Sequence, residues 1–236
     1  MKIAIHQPQY FPWPPYVHKV MSADIFVYLD TVQFSKNGVQ NRNQIQTKQG
    51  PQWLTVPVQH ELGQSIRETR LVDANITVKH WKTLQANYAR TPGFQRWKDE
   101  LQHLLTQTYQ TLDQVAIAST EWMLEKLGFG SKRVKASEIP ETHGRASELV
   151  ASICKSLAAD RYLTGTGALA YLERADFDRI DCEVEVQRWR SFTYEQAGTE
   201  TGFAPDLSTL DLLLNHPDAA ADMIAAAGSW EVLKSE

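Results

Sequence analysis

This chain of 236 residues has only two cysteines, no long apolar run and no excess of positive charge. The two cysteines, Cys154 and Cys182, are too few for a disulfide scaffold and have no metal-type spacing, so we expect buried, reduced thiols. The formal net charge of −4 argues against a general nucleic-acid binder, which usually carries a basic face. No apolar run reaches the roughly 18 residues of a membrane span, and residues 3–5 are too short a run for a signal peptide. We therefore expect a cytoplasmic protein with no membrane span and no nucleic-acid partner.

Signatures of several enzyme classes are also missing. The seven histidines form no zinc-type pair, and no nucleophile elbow occurs. Neither cysteine has a neighbour that would obviously lower the pKa of its thiol. No metal site or cofactor motif is evident, and the sequence predicts no oligomeric state.

The chain does contain an α/β pattern, which begins with a strand, a loop, a helix and a second strand. Residues 2–5 predict a short strand. The following helix is predicted to start at Pro15, where the missing amide donor costs nothing. Residues 25–29 form an apolar run that is typical of a strand buried on both faces. This order predicts a Rossmann-like βαβ start with a right-handed crossover.

The rest of the chain predicts a hairpin, a helical middle and a return to strands. Residues 41–58 alternate around turn-forming residues at 48–51, which indicates a hairpin. Apolar residues at helical spacing predict a helical insertion at about 77–128, with Thr77 as an N-cap. Later strands are predicted at 133–136, 161–164 and 182–189. We predict a single α/β domain over residues 1–236, with a mixed sheet.

A polar and aromatic segment follows the first predicted strand, at the edge where open α/β sheets place their ligands. Four prolines stiffen it, so its side chains have little entropy to lose on binding. The alternative is a rigid lid whose aromatic side chains pack on the core, with a histidine that is merely hydrogen-bonded in place. The candidate site residues of this segment are His6, Gln7, Gln9, Tyr10, Trp13 and Tyr16.

A second group of candidates follows the second predicted strand. Asp30 ends that strand at the same edge as His6, so the pair could act as acid and base or hold a sugar hydroxyl. Lys36 and Arg42 are cations suited to phosphate. In an alternating strand Arg42 lies on the face opposite to its neighbours, so all of them can reach one ligand only if the segment is irregular. The alternative is a solvated hairpin edge, where polar residues prevent aggregation. The amide candidates of this group are Gln33, Asn41 and Asn43.

The third candidate is the turn Gly165-Thr166-Gly167, which lies between a predicted strand and a predicted helix. Such a turn can present backbone amides to an anion at a helix N-terminus. It matches neither the P-loop nor the full dinucleotide fingerprint, so a plain structural turn is the alternative. Ser208 is predicted to cap one of the C-terminal helices.

Three groups of residues together resemble the WbqC-like protein family. They are residues 5–13 (IHQPQYFPW), residues 30–36 with 41–43 and 53–58, and residues 162–168 with 207–208 and 210–211. The resemblance follows the chain in order over most of its length. Two positions depart from it, because Pro14-Pro15 replaces a small residue before the tyrosine and Val39 stands where an aromatic is expected.

The family occurs among proteins of polysaccharide (O-antigen) biosynthesis, and the resemblance implies aminoacyl, specifically glycyl, transfer to an amino sugar. We therefore expect a transferase that acts on a nucleotide-linked sugar or a related phosphorylated small molecule. His6 would be the general base and Asp30 would orient it or bind a sugar hydroxyl. Phosphate would be held by Lys36, Arg42 and the turn at 165–167, while Tyr10 and Trp13 would stack on a ring.

Two other functions are compatible with the same residues. One is a nucleotidyltransferase-like enzyme, which a requirement for magnesium would favour, although the paired histidines of those enzymes are not clearly present. The other is a non-catalytic protein that binds a nucleotide-sugar. The seven tryptophans suit either function, because indole rings stack on bases and sugars.

Overall fold

The fold is described by a computed structural model that covers residues 1–36, 38–198 and 202–234. Its strands are β1 (Lys2–His6), β2 (Ile25–Tyr28), β3 (Arg42–Thr47), β4 (Gly50–Thr55), β5 (Val58–Gln59), β6 (Arg70–Leu71), β7 (Lys132–Lys135), β8 (Arg161–Thr164), β9 (Glu183–Trp189) and β10 (Gly228–Val232). Its α-helices are α1 (Pro14–Ser22), α2 (Thr77–Tyr88), α3 (Pro92–Thr106), α4 (Leu112–Lys126), α5 (Ala146–Ser156), α6 (Arg174–Asp178), α7 (Thr209–Asn215) and α8 (Ala220–Ala227). None of these helices is long and apolar enough to cross a membrane.

A six-stranded mixed sheet lies at the centre, in the order β10-β9-β8-β1-β2-β7. All neighbouring strands are parallel except the pair β9 and β10. The chain leaves β1 through α1 to reach β2 on one side, whereas β8 pairs with β1 on the other side. The strand order therefore reverses between β1 and β8, which is the position where open α/β sheets form a ligand-binding crevice.

Helices cover both faces of this sheet, because successive side chains of a strand point to opposite faces. Ala4 of β1 faces a core that it shares with Val17 and Val20 of α1. Ile3 and Ile5 face a second core, which contains residues of α5. The two cysteines lie in this second core as buried free thiols.

The predicted α/β class, with its Rossmann-like start, hairpin and helical insertion, is confirmed. Two details differ. Gly50 adopts a φ of 106° and pairs with Thr47, so the hairpin turn consists of Lys48 and Gln49, and residues 50 and 51 belong to the strand. Thr77 does not cap α2, because Ile76 before it is already helical and the buried Thr77 hydroxyl has no partner among the described residues.

Candidate functional site

The candidate site is a cleft at the carboxyl ends of β1 and β8, where the strand order reverses. It consists of two adjoining pockets, with volumes of about 260 Å³ and about 420 Å³. Four residues line both pockets, namely His6, Lys19, Gly165 and Gly167. The smaller pocket is completed by apolar and tyrosine side chains, including Val150 and Tyr171, and the larger one by aromatic and polar side chains, including Trp189. We name them the small pocket and the large pocket.

His6 ends β1 and is half-buried between the two pockets. Its Nδ1 lies 3.1 Å from the carbonyl oxygen of Gln7, which can only accept, so Nδ1 carries the proton and Nε2 keeps its lone pair. The ring also packs edge-on against Tyr16, with centroids 4.9 Å apart. Burial, the nearby charge of Lys19 and a smaller opposing effect of the Gln7 hydrogen bond set the pKa of His6 at about 3. The imidazole is therefore neutral in the empty cleft.

Lys19 lies in the last turn of α1 and is only 6% exposed. Its ammonium makes no ion pair or hydrogen bond with any residue that the structure describes. Burial lowers the pKa of Lys19 to about 7, because the charged form loses its hydration. The cleft therefore holds a buried amine that is poised between its charged and neutral forms at neutral pH.

The glycine turn follows β8 directly and brings Gly165 beside Lys19. Gly165 has φ −96° and ψ 165°, an extended conformation that any residue adopts. The residues after it form a five-residue 3₁₀ helix, Thr166–Ala170, and not the predicted longer helix. So short a helix sums few peptide dipoles, which corrects the expectation of a helix N-terminus that binds an anion.

The proline-rich segment divides between the cleft and the core. Gln7 lines the small pocket, while Trp13, 37% exposed, and Tyr16 line the large one. Gln9 and Tyr10 are buried away from both pockets. The Tyr10 hydroxyl lies 2.8 Å from Nδ1 of His80, and Tyr10 is 0% exposed. The stacking face predicted for Tyr10 is thus covered by the core, whereas that of Trp13 faces the large pocket.

The second group of candidates lies outside both pockets, and it follows β2, which lies on the side of β1 opposite to β8. Both carboxylate oxygens of Asp30 accept hydrogen bonds from Ser137, one from its amide at 3.0 Å and one from its hydroxyl at 2.6 Å.

The guanidinium of Arg42 lies 4.5 Å above the ring of Trp53. Lys36 is exposed and Gln33 forms an isolated bridge with Ser65. Asn41 and Asn43 donate to the carbonyl oxygens of Val56 and Phe11.

The structure thus brings the first and third predicted segments together in one cleft, as the composite site requires, and separates the second segment from it. The cation of the cleft is Lys19, which was not among the residues predicted from the sequence. One signal could have found it, since Lys19 follows Tyr16 by three residues and therefore shares its helix face. Arg188 and Trp189 of β9 also line the large pocket and were missed. Within residues 1–36, 38–198 and 202–234, no three His, Cys, Asp or Glu side chains are grouped to hold a metal ion.

Comparison with known proteins places the chain in a family. A model of the WbqC-like protein family matches residues 7–223. The chain belongs to this family. It is also 31% identical over 227 residues to the uncharacterized protein Rv1507c of Mycobacterium tuberculosis (strain ATCC 25618 / H37Rv), in a match that covers 94% of this chain and 97% of that relative. No solved structure matches this WbqC-like protein.

Proposed function

We propose that this WbqC-like protein is a transferase that acts on a nucleotide-linked sugar or a related phosphorylated sugar. One observation carries the proposal: a neutral imidazole and a buried amine without a carboxylate partner meet between two pockets at the switch point of the sheet. Two pockets that share their central residues suit a reaction between two substrates, because the reacting atoms then meet at the shared wall.

His6 is the proposed general base. Its Nε2 accepts a proton from an attacking amine or hydroxyl, while the hydrogen bond to Gln7 fixes the tautomer. A pKa of about 3 makes the imidazole of His6 a weak base in the empty cleft. An anionic substrate would raise this pKa, because negative charge near the ring favours the imidazolium. The base therefore becomes stronger when the substrate is bound.

The occurrence of WbqC-like proteins among proteins of O-antigen biosynthesis favours aminoacyl transfer to an amino sugar. In that reaction the sugar amine attacks the acyl carbon of an activated donor, and a nitrogen–carbon bond forms. The bond from the acyl carbon to its carrier atom breaks, and His6 passes the amine proton to the departing atom. The small pocket, at about 260 Å³, suits a small acyl group, and Trp13 and Trp189 offer aromatic faces to a ring in the large pocket.

A thermal-shift screen of nucleotides, nucleotide-sugars and aminoacyl donors, with and without magnesium, tests the substrate class. A ligand at about 100 times its dissociation constant stabilises the fold by roughly 2.7 kcal/mol, which is an easily measured shift. Failure of every nucleotide-linked and phosphorylated sugar to bind would overturn the proposal. A ligand that binds and is never turned over would point to the non-catalytic binding protein instead.

The variant His6→Asn tests the general base. The asparagine amide can reproduce the Nδ1 hydrogen bond to Gln7 but has no atom at the position of Nε2. We expect turnover to fall by about 10² to 10⁴ while the dissociation constant of the substrate changes little. Unchanged turnover would remove His6 from the chemistry. Location in the cytoplasm and a place in O-antigen synthesis remain predictions.

A further inference from the structure

We propose that Lys19 is the anion-binding group of this cleft, and that a phosphate-bearing ligand binds to it together with a proton. The inference deepens the proposed function and rests on the same cleft. It replaces the two cations predicted from the sequence, because neither Lys36 nor Arg42 lines a pocket.

The first support is that Lys19 is buried without compensation. A buried charge is normally paired, since the loss of hydration is costly. Lys19 has neither an ion pair nor a hydrogen bond among the described residues, yet it lines both pockets. The partner that its ammonium lacks must come from outside the chain, and the complementary group is an anion.

The second support is the charge of the surrounding groups. Among the residues that the structure describes, no aspartate or glutamate lines either pocket. Glu185 lies on β9, but it is paired with Arg161 at 3.4 Å and lines neither pocket. The titratable groups that line the cleft besides Lys19 are His6 from β1, Tyr16 from α1, Tyr162 from β8, Tyr171 after the glycine turn and Arg188 from β9.

None of these neighbours supplies negative charge at neutral pH. Burial raises the pKa of Tyr16, Tyr162 and Tyr171, so all three phenols stay neutral. The imidazole of His6 is neutral as well, because burial and Lys19 lower its pKa. Arg188 is ion-paired with Glu231 of β10 at 2.6 Å, so the uncompensated charge of the cleft is the positive charge of Lys19.

The third support is Gly165. Its extended backbone does not require glycine, so the absence of a side chain serves space and not conformation. A β-carbon at this position would lie 3.5 Å from Nζ of Lys19. Any larger side chain would extend toward the ammonium, and glycine keeps that side of Lys19 open to a ligand.

The proton linkage follows from the burial of Lys19. With a pKa of about 7, Lys19 is largely neutral at pH 8 in the empty cleft and largely protonated at pH 6. An anion favours the charged form and raises the pKa. Binding at pH 8 should therefore take up close to one proton, and binding at pH 6 should take up close to none.

The test uses the full chain and two probes that do not titrate between pH 6 and pH 8. Sulfate reports on the anion alone, and UDP-glucose reports on a nucleotide-sugar. Calorimetry in buffers of different ionisation enthalpy measures the proton uptake. Carbon-13 NMR of the lysine side chains, with Lys19 assigned by its loss in Lys19→Arg, gives the Lys19 titration midpoint directly.

Two variants and a control sharpen the test. Lys19→Arg keeps the cation but cannot release its proton, so it should bind the probes with no proton uptake at pH 8. Lys19→Met should weaken probe binding by about tenfold or more, since a charge-assisted contact is lost. Lys82→Met, on the exposed face of α2, should behave as wild type in both measurements.

The outcomes separate this inference from the proposed function. A Lys19 midpoint near pH 7 that rises in sulfate supports the inference, even where UDP-glucose does not bind. UDP-glucose that binds without proton uptake, or equally well to Lys19→Met, overturns the inference and leaves the transferase proposal standing. A midpoint that sulfate does not move overturns it too.

Discussion

At the scale of single residues, Asp30 joins the end of β2 to the segment after β7. It is buried, and both of its oxygens accept hydrogen bonds from Ser137. We predict that Asp30→Asn lowers the free energy of unfolding by about 1 to 3 kcal/mol, because an amide NH₂ then faces a donor and one bond is lost. Urea denaturation measures the change.

Ser137→Ala is the matched variant for this pair. It removes the hydroxyl donor but keeps the backbone amide that bonds Asp30, so it should cost less than Asp30→Asn. The double variant should cost less than the sum of the two, since the residues share one interaction. If the two stability effects are strictly additive, or if Asp30→Asn changes ligand affinity strongly and leaves stability unchanged, Asp30 belongs to the candidate site and is not a structural residue.

Lys19 and Tyr10 show why residue roles were harder to predict than residue patterns. A lysine in an amphipathic helix usually lies at the solvent surface, and an aromatic in a proline-rich loop usually offers a binding face. Here β8 and its glycine turn lie beside Lys19, and His80 from α2 reaches Tyr10. Both outcomes depend on residues more than sixty positions away, which no local pattern contains.

At the scale of elements, Gly93 sets how closely α3 approaches α7. α3 starts at Pro92, so Gly93 lies inside its first turn. A β-carbon on Gly93 would lie 2.4 Å from the carbonyl oxygen of Leu213. Glycine is therefore needed here for the close packing of α3 against α7.

We predict that Gly93→Ala lowers the free energy of unfolding by about 2 kcal/mol or more, because the backbone of α7 would have to move. Chemical denaturation followed by circular dichroism gives the value. Gly130→Ala is the control, since a β-carbon there meets nothing within 4 Å, and it should change stability by about 0.5 kcal/mol or less. A Gly93→Ala protein as stable as this control would contradict the close packing.

Elements with a strong local pattern were predicted almost to the residue. The strand at 161–164 is reproduced as Arg161–Thr164, and the C-terminal helix cap at Ser208 is confirmed, with its hydroxyl accepting from the amide of Leu210 at 3.1 Å. The segment after Gly167 was less predictable, because its apolar residues permit an α-helix whereas the chain forms a short 3₁₀ helix and then α6.

At the scale of the whole molecule, family motifs far apart in sequence are joined by hydrogen bonds. The carbonyl oxygen of Phe11, whose φ is 44°, accepts from Asn43 at 2.8 Å and from the hydroxyl of Ser208 at 2.7 Å. Asp211 accepts from Tyr194 at 2.8 Å and also from Tyr88. Motif residues thus divide into a group that lines the cleft and a group that holds the proline-rich loop, hairpin and α7 together.

The buried basic groups should make the stability of the whole molecule rise with pH in two steps. Burial lowers the pKa of His6 to about 3 and that of His80 to about 4, so between about pH 4 and 6.5 only the unfolded chain binds these protons. Burial lowers the pKa of Lys19 to about 7, so between pH 7 and 10.5 the unfolded chain holds a proton that the folded chain has lost. Stability rises with pH in both windows, since the unfolded state binds more protons.

We predict that Lys19→Met removes the second step and also weakens the acid step, because the charge of Lys19 helps to lower the pKa of His6. One proton contributes a slope of about 1.4 kcal/mol per pH unit, so wild type should gain roughly 2 to 3 kcal/mol between pH 7 and 9, and the variant should gain little. His80→Gln should instead flatten the acid step, and the exposed His103→Gln should leave the profile unchanged. Urea denaturation at pH 4 to 9 measures all four proteins, below the range where the buried tyrosines ionise in the unfolded chain. A wild-type profile that is flat above pH 7 would mean that Lys19 is solvated, because only a dehydrated ammonium releases its proton so early.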